Sequence, residues 1–176
     1  METFKPHNFT SDDIITYEDL FSESERETIR AYLNRPMWNW GHKSSHDSKS
    51  APFWNMLLNK DKYFTDYLFN KIQAITGDDL ILERCYANGN TFGLPGDIHQ
   101  DSSSEKGVTF MYYANYDWDE RFGGKTAFIF ENETKYILPN KGKCVYFPGL
   151  IPHYAEEVAR LFAGIRITIV WKMEKK

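Results

Sequence analysis

The sequence has few cysteines and no long apolar run, and both absences limit the kind of protein it encodes. Its 176 residues include only Cys85 and Cys144, each inside an apolar stretch. A disulfide-rich secreted domain is therefore excluded, and we expect two reduced core residues. No stretch approaches the roughly 20 apolar residues of a membrane-spanning helix, and the first residues lack the apolar segment of a secretory signal. We expect a cytoplasmic protein with no membrane partner.

An excess of basic charge is also absent. The chain has 21 Lys and Arg residues against 25 Asp and Glu residues, which gives a net charge of −4. Because nucleic-acid binding is dominated by neutralisation of phosphates, this balance argues against nucleic acid as the main partner. Internal repeats, low-complexity tracts and linkers are missing as well, so we expect a single domain over residues 1–176.

The first third of the chain, residues 1–77, has the pattern of helices. Ser24 and Glu27 predict a capping box, and an apolar stripe at helical spacing follows, formed by Ile29, Tyr32 and Leu33. Between residues 51 and 76, apolar side chains predict one or two further amphipathic helices: Trp54, Leu57, Leu58, Phe64, Tyr67, Leu68 and Ile72. Gly77 is the predicted helix terminator.

Residues 78–173 have the pattern of a β core. Six short runs rich in β-branched and aromatic residues are separated by Asn, Gly, Pro and Asp: 80–82, 108–113, 126–130, 136–138, 144–147 and 165–171. Short strands preceded by helices predict a mainly β fold with N-terminal helices. The specific prediction is an antiparallel sandwich or jelly roll with the helices packed on one sheet.

The last run, residues 165–171, has two different faces. One face is wholly apolar and should pack on the helices: Ile165, Ile167, Ile169 and Trp171. The other carries Arg166, Thr168 and Val170. If this face looks into a barrel, the guanidinium is enclosed and needs an anion. An arginine on the solvent side of an edge strand is the alternative.

The run 108–113 shows the same alternation. Met111 and Tyr113 share one face, and Phe110 and Tyr112 share the other. A phenol inside a barrel needs a hydrogen-bond partner, which an acid held by the arginine would provide. For Tyr112 we favour the alternative, a core tyrosine bonded to the backbone.

His99, Asp101 and His153 form the pattern with the clearest chemical content. Side chains at positions i and i+2 of a strand point to the same side, so His99 and Asp101 can meet on one metal ion. His153 follows the run 144–147 and a tight turn, at the start of the next strand. Two imidazoles and one carboxylate that leave other positions open are the ligand set of non-heme Fe(II) oxygenases. The other histidines, His7, His42 and His46, are interpreted as surface residues. Of these, His42 is also a candidate for the mouth of the site.

Residues 83–171 resemble the 2-oxoglutarate/Fe(II)-dependent dioxygenase superfamily, in particular its prolyl 4-hydroxylase-like branch with compact bacterial and phage members. The likeness is carried by residues 85–90 (CYANGN), 112–119 (YYANYDWD) and 123–128 (GGKTAF), and by the Arg-x-Thr of residues 166–168. It implies a double-stranded β-helix, the cupin-like jelly roll. It also implies Fe(II) as the metal, 2-oxoglutarate and O2 as cosubstrates, and ascorbate as an accessory reductant.

The resemblance also implies roles for individual residues. His99, Asp101 and His153 match the iron ligands of the superfamily. Arg166 matches the residue that pairs with the C5 carboxylate of 2-oxoglutarate. Three further residues match positions beside that cosubstrate: Tyr113, Thr168 and Tyr86.

The activity implied is hydroxylation of a substrate with release of succinate and CO2. A proline residue of a peptide or protein is the leading substrate, because the likeness extends beyond the ligands into residues 112–119. A free amino acid, another small molecule or a nucleobase is the second possibility, and an inactive jelly-roll metal-binding module is the third. Candidates for substrate contact are the loop 88–95 with Asn88, the two tryptophans and an arginine: Trp38, Trp40 and Arg160. Core packing of the tryptophans and a solvated arginine are the alternatives.

Overall fold

Strands dominate the described part of the chain, residues 4–44 and 51–176 of a computed structural model. The helices are α1 (Glu23–Leu33) and α2 (Phe69–Thr76); a π-helical segment (Tyr63–Leu68) leads into α2, and 3₁₀ turns lie at Ser11–Asp13 and Glu120–Phe122. The strands are β1 (Ile15–Tyr17), β2 (Asn39–His42), β3 (Phe53–Leu57), β4 (Leu80–Asn90), β5 (Gly107–Tyr113), β6 (Thr126–Ile129), β7 (Thr134–Ile137), β8 (Cys144–Pro148), β9 (His153–Ala155) and β10 (Arg166–Lys175). No described helix has the length and apolar character needed to cross a bilayer.

The strands form two antiparallel sheets that face each other. The large sheet has the order β1-β8-β5-β10-β4-β3-β2, and the small sheet has the order β7-β6-β9. Every predicted strand run overlaps one of these strands, and β4 continues well past the predicted run 80–82 to Asn90. The predicted mainly β jelly roll is confirmed.

One core cluster lies between the large sheet and the helices. Residues from α1 and from the segment 63–76 pack on residues of β5 and β10: Ile29, Leu33, Phe64, Leu68, Ile72, Phe110, Tyr112, Ile169 and Trp171. Cys85 and Cys144 belong to the same cluster, and both are buried, free thiols. The indole Nε1 of Trp171 donates to the Phe64 carbonyl at 2.9 Å. Helices packed on one sheet match the sequence-based expectation, and Tyr112 is a core residue on their side as expected. The predicted bond of its hydroxyl to the backbone stays a prediction.

A second core cluster lies between the two sheets. Met111, Tyr113 and Val170 from the large sheet meet Phe128 and Ile137 from the small sheet. All residues of β5 are buried, because this strand has neighbours on both edges and a covered face on either side. The alternation predicted for residues 108–113 is therefore confirmed.

The expectation of helices throughout residues 51–76 is wrong for its first part, which forms β3. The pair Trp54 and Leu57 fits helical spacing, but Phe53–Leu57 instead pairs with β4, with Trp54 opposite Gly89 and Asn55 opposite Asn88. Strands β1 and β2 likewise join the large sheet from the region 1–77 that the sequence assigns to helices. Pairing with existing strand edges outweighs local helical spacing here.

The capping box of α1 lies two residues earlier than expected. Ser22, not Ser24, is the N-cap, and the Glu25 carboxylate accepts from its backbone N–H at 2.6 Å. Both pairs have the capping-box spacing, so tertiary contacts decide between them: Glu25 is buried and also accepts from Lys71 Nζ at 2.7 Å and from Tyr67 Oη at 2.8 Å. The terminator prediction is confirmed, since Gly77 has a left-handed conformation with φ of 72°.

We expect Glu25→Gln to lower the free energy of unfolding by about 1–3 kcal/mol at neutral pH. Burial opposes ionisation of Glu25, but hydrogen bonds from Lys71, the Ser22 backbone and Tyr67 outweigh it and lower the pKa from 4.5 to about 2. A depressed pKa stabilises the fold above the unfolded value, so the wild-type advantage is lost as pH falls from 4.5 towards 2. Urea unfolding at neutral and acid pH measures it. The exposed Glu27→Gln is the control, and an equal loss in both variants would contradict the prediction.

Candidate metal centre

An antiparallel bridge places two of the predicted ligands side by side. The backbone N–H groups of His99 and His153 each donate to the carbonyl of the other residue at 3.0 Å. Their ring centroids are 4.4 Å apart. His153 begins β9 as predicted, whereas the strand expected around His99 is reduced to this single bridge. Pro95 and Gly96, which precede it, are residues that interrupt strands.

Asp101 completes a cluster of three donors. Its backbone N–H donates at 2.8 Å to the carbonyl of Gly149, in the turn before His153. Its carboxylate oxygens lie 3.6 Å from Nε2 of His99 and 3.5 Å from Nε2 of His153. Potential ligand atoms from the three residues all lie within 4.8 Å of one another, and no other such group exists among the described residues. The structure thus brings together the three residues that the sequence pattern singles out.

Backbone carbonyls orient both imidazoles. Nδ1 of His99 lies 2.9 Å from the Asp97 carbonyl, and Nδ1 of His153 lies 2.9 Å from the Ile151 carbonyl. A carbonyl can only accept, so each Nδ1 carries the proton and each Nε2 presents a lone pair to the cluster. Such contacts behind a histidine ligand are typical of metal sites.

Lys172 and Thr109 hold the Asp101 carboxylate. Lys172 Nζ lies 2.7 Å from Oδ1, and the Thr109 hydroxyl donates to Oδ2 at 2.8 Å. Burial opposes ionisation of Asp101, but the charge of Lys172 and the contacts with His153 and His99 lower its pKa well below the usual range. Lys172 is missing from the sequence-based site, although it continues the period-two face of Arg166, and that periodicity could have identified it.

The donor set suits a divalent metal ion. Burial and the neighbouring His99 lower the pKa of His153 to about 4, so its imidazole is neutral at neutral pH. Metal ligands must be deprotonated, and an anionic Asp101 carboxylate with a neutral His153 imidazole meets that requirement. The residues present therefore fit a ferrous ion by the chemistry of their donors.

The three donors line a cavity that is also lined by a buried guanidinium, and we call it the inner cavity. Arg166 is 2 % exposed, and its Nε donates to the Gly124 carbonyl at 2.6 Å while Nη2 donates to the Thr126 hydroxyl at 2.9 Å. Gly124 has φ of +66°, and a Cβ there would lie 3.0 Å from Arg166 Cδ. The second glycine of the GGKTAF segment therefore provides both the space and the acceptor for this arginine.

Two hydroxyls and a phenol surround the guanidinium. Tyr113 donates to the Thr126 hydroxyl at 2.8 Å, and Thr168 lines the cavity beside them. Burial raises the pKa of Tyr113 to about 12, against the opposing effect of Arg166, so the phenol stays neutral. Thr126 is the second residue absent from the sequence-based site. A buried threonine in a strand is ordinary by itself, and no signal in the sequence separates it from others.

Tyr86 and Asn88 mark the passage from this cavity to an outer cleft. Both residues line the inner cavity and a cleft of about 440 Å³ that opens beyond His99. The predicted mouth histidine, His42, also lines the cleft, and its ring lies edge-on against Phe53 at 5.3 Å. His46 lies outside the described residues, and His7 bonds the backbone of Phe9 away from the cleft.

The remaining substrate candidates lie elsewhere. Trp38 is core packing: its Nε1 donates to the Leu33 carbonyl at 2.8 Å, and its ring packs on the helix-side cluster. Trp40 pairs with Trp54, and Trp54 pairs with Gly89. Gly89 lies between Asn88 and Asn90, which line the cavity, so its position on β4 belongs to the opposite face. Paired residues share a face, so Trp40 points away from the cavity. Arg160 is exposed and lies over the Phe92 ring at 5.4 Å.

The chain belongs to the 2OG-Fe(II) oxygenase superfamily, whose family model matches residues 84–171. The match spans the segment from β4 to β10 and so includes the three clustered donors and Arg166. Fe(II), 2-oxoglutarate and O2 are the metal and cosubstrates of this superfamily. No curated protein matches the sequence.

Several solved structures share the fold. A prolyl hydroxylase from Trichoplax adhaerens, in complex with a hypoxia inducible factor oxygen degradation domain peptide fragment, is 16% identical with a TM-score of 0.74, over 94% of this chain and 84% of that one. A Pseudomonas putida prolyl-4-hydroxylase is 15% identical with a TM-score of 0.68, over 93% of both chains. HygX from Streptomyces hygroscopicus, with nickel, 2-oxoglutarate and hygromycin B bound, is 10% identical with a TM-score of 0.66, over 93% and 83%. At these identities the likeness establishes the fold alone.

We expect Asp101→Ala to lower Fe(II) affinity by more than about a hundredfold, because a ligand is lost rather than a supporting contact. Anaerobic calorimetry with Fe(II), or Co(II) as a redox-stable substitute, measures the change. Asp117→Ala removes an exposed carboxylate and is the matched control. Unchanged metal affinity in Asp101→Ala would show that the ion binds elsewhere.

Proposed function

We propose that this chain is a dioxygenase that uses Fe(II) and 2-oxoglutarate to hydroxylate a proline residue of a peptide or protein, with release of succinate and CO2. The observation that carries the proposal is the buried cation behind the donor cluster. Arg166 lines the same cavity as His99, Asp101 and His153, and no carboxylate of the described residues forms an ion pair with it. A buried guanidinium is costly without an anion, and 2-oxoglutarate supplies one.

In this proposal His99, Asp101 and His153 hold the iron. Two neutral imidazoles and one carboxylate are the donor set of non-heme Fe(II) oxygenases. Lys172 and Thr109 keep Asp101 ionised and oriented, and the carbonyl contacts at Nδ1 keep the two imidazoles in the ligating tautomer.

Arg166 binds the C5 carboxylate of 2-oxoglutarate. Two of its five N–H groups donate to Gly124 and Thr126, and the others are available to a carboxylate, whose geometry suits the guanidinium fork. Thr126 accepts from both Arg166 and Tyr113, so its own proton is free to donate towards the cavity. Thr168 and Tyr86 contact the cosubstrate from the adjoining walls.

Iron and 2-oxoglutarate, once bound, would supply the oxidising chemistry by which the substrate, O2 and 2-oxoglutarate are converted into the hydroxylated substrate, succinate and CO2. The protein's own part is to place the groups and to keep the cavity dry. Met111, Phe147 and Val170 give the cavity apolar walls. Exclusion of water strengthens every charge contact inside the cavity.

Peptidyl proline is the proposed substrate because the resemblance to prolyl hydroxylases includes residues 112–119, which lie outside the ligand set. Two of the three solved structures named above are prolyl hydroxylases. HygX, in contrast, holds hygromycin B, which keeps a small molecule as the second candidate. An inactive module is disfavoured, because such a module has no physical need for a buried cation.

We expect slow succinate formation when the protein is supplied with Fe(II), 2-oxoglutarate and ascorbate as reductant, even without substrate. A proline peptide library should then yield products heavier by one oxygen atom in mass spectrometry. Succinate without any modified peptide would support an oxygenase of another substrate. The absence of both succinate and metal binding would contradict the oxygenase itself.

We expect Arg166→Ala to weaken 2-oxoglutarate binding by about a hundredfold, because a buried carboxylate loses its charged partner. Iron binding should be retained, which also shows that the variant folds. Calorimetry with each ligand separates the two effects. The control is Arg121→Ala, which removes a side chain that is 75% exposed and pairs with Asp119. Equal 2-oxoglutarate affinity in wild type and Arg166→Ala would refute the role assigned to this residue.

A further inference from the structure

A second group of cations lines the outer cleft, next to the metal centre. Arg84 and Lys172 line it together with His99, and no carboxylate of the described residues does so. This local charge contrasts with the net charge of −4 of the whole chain. A cleft lined by one sign of charge concentrates ligands of the opposite sign.

Arg84 and Lys172 are direct neighbours across two strands. They are register partners in the antiparallel pair β4 and β10, so their side chains lie on the same face. Like charges in that arrangement destabilise a sheet. Asp101 offsets the charge of Lys172 at 2.7 Å, but no carboxylate in the described part of the chain forms an ion pair with Arg84. The sheet therefore carries an uncompensated cation at the edge of the site.

The guanidinium of Arg84 has a defined position. It lies over the Tyr86 ring, 4.6 Å from its centroid, and Tyr86 lines both the cleft and the inner cavity. Burial and the charges of Arg84 and Lys172 lower the pKa of His42, which also lines the cleft. His42 is then a neutral hydrogen-bonding group, and the uncompensated positive charge of the cleft is centred on Arg84.

This cation is separate from the one assigned to 2-oxoglutarate. Arg166 lines the inner cavity and not the cleft, whereas Arg84 and Lys172 line the cleft and not the inner cavity. His99 lines both, so a molecule in the cleft is adjacent to the metal centre. The site can therefore bind two anions. The cosubstrate would bind Arg166 in the inner cavity, and a second molecule would bind Arg84 in the outer cleft.

We infer that Arg84 binds a carboxylate of the substrate, so that the enzyme selects an acidic substrate. This rests on the proposed function: in a peptide, the carboxylate belongs to an Asp or Glu beside the target proline. A free amino acid would bring the same group, and the experiment distinguishes the two sources. Arg84 is thus a specificity-determining residue.

Two short, blocked proline peptides that differ only in Asp against Asn beside the proline provide the test. Calorimetry on the anaerobic protein with Fe(II) and 2-oxoglutarate should show the Asp peptide binding about tenfold tighter, as for a charge-assisted hydrogen bond. Arg84→Gln should abolish this difference and Arg84→Lys should retain most of it. Equal affinity of Arg84→Gln and wild type for 2-oxoglutarate shows that the inner site is intact.

The matched control is Arg35→Gln. Arg35 also lies over a tyrosine, 3.8 Å from the Tyr32 centroid, but it does not line the cleft. This variant should keep the full preference for the Asp peptide. Equal binding of the two peptides by wild type, or a preference that survives in Arg84→Gln, would overturn the inference.

A second arm covers the case in which neither peptide binds. Free L-proline and L-glutamate are compared with their amides by the same calorimetry. Acid-selective binding that Arg84→Gln removes would keep the role of Arg84 while rejecting a peptide as substrate. No acid-selective binding in either arm would overturn the inference, whereas retained 2-oxoglutarate binding and succinate formation would leave the oxygenase proposal standing.

Discussion

The pairing of β10 between β4 and β5 is the constraint on which the whole site depends. Its register places Thr168 opposite Asn88 and Tyr113, and Val170 opposite Tyr86 and Met111.

The next residue on the same face of β10, Lys172, extends these contacts to the metal centre. Lys172 is opposite Arg84 and Thr109, and both Lys172 and Thr109 bond Asp101. Because side chains alternate along a strand, a slip of β10 by one residue would turn its Thr168, Val170 and Lys172 towards the helices. The large apolar residues on the other face, among them Ile169 and Trp171, fix that register through the helix-side core.

Much of the site follows from the alternation of side chains that is visible in the sequence. The sequence-based predictions that missed or misplaced residues did so for identifiable physical reasons. Residues 165–171 predict both faces of β10, and the same alternation places Lys172 on the face of the site, but its role there depends on contact with the distant Asp101. Trp54 and Leu57 have helical spacing, and only pairing with β4 reveals a strand. Trp40 is a plausible rim residue by composition, yet its register with Trp54 turns it away from the cavity. Contacts between distant segments decide each case, and local pattern does not contain them.

Crystals grown anaerobically with Fe(II) and 2-oxoglutarate would locate both the metal ion and the cosubstrate. We expect an anomalous iron signal within bonding distance of Nε2 of His99, Nε2 of His153 and an Asp101 oxygen, with the far carboxylate of 2-oxoglutarate on the Arg166 guanidinium. An ion bound away from these three atoms, or a cosubstrate whose carboxylate does not contact Arg166, would contradict it.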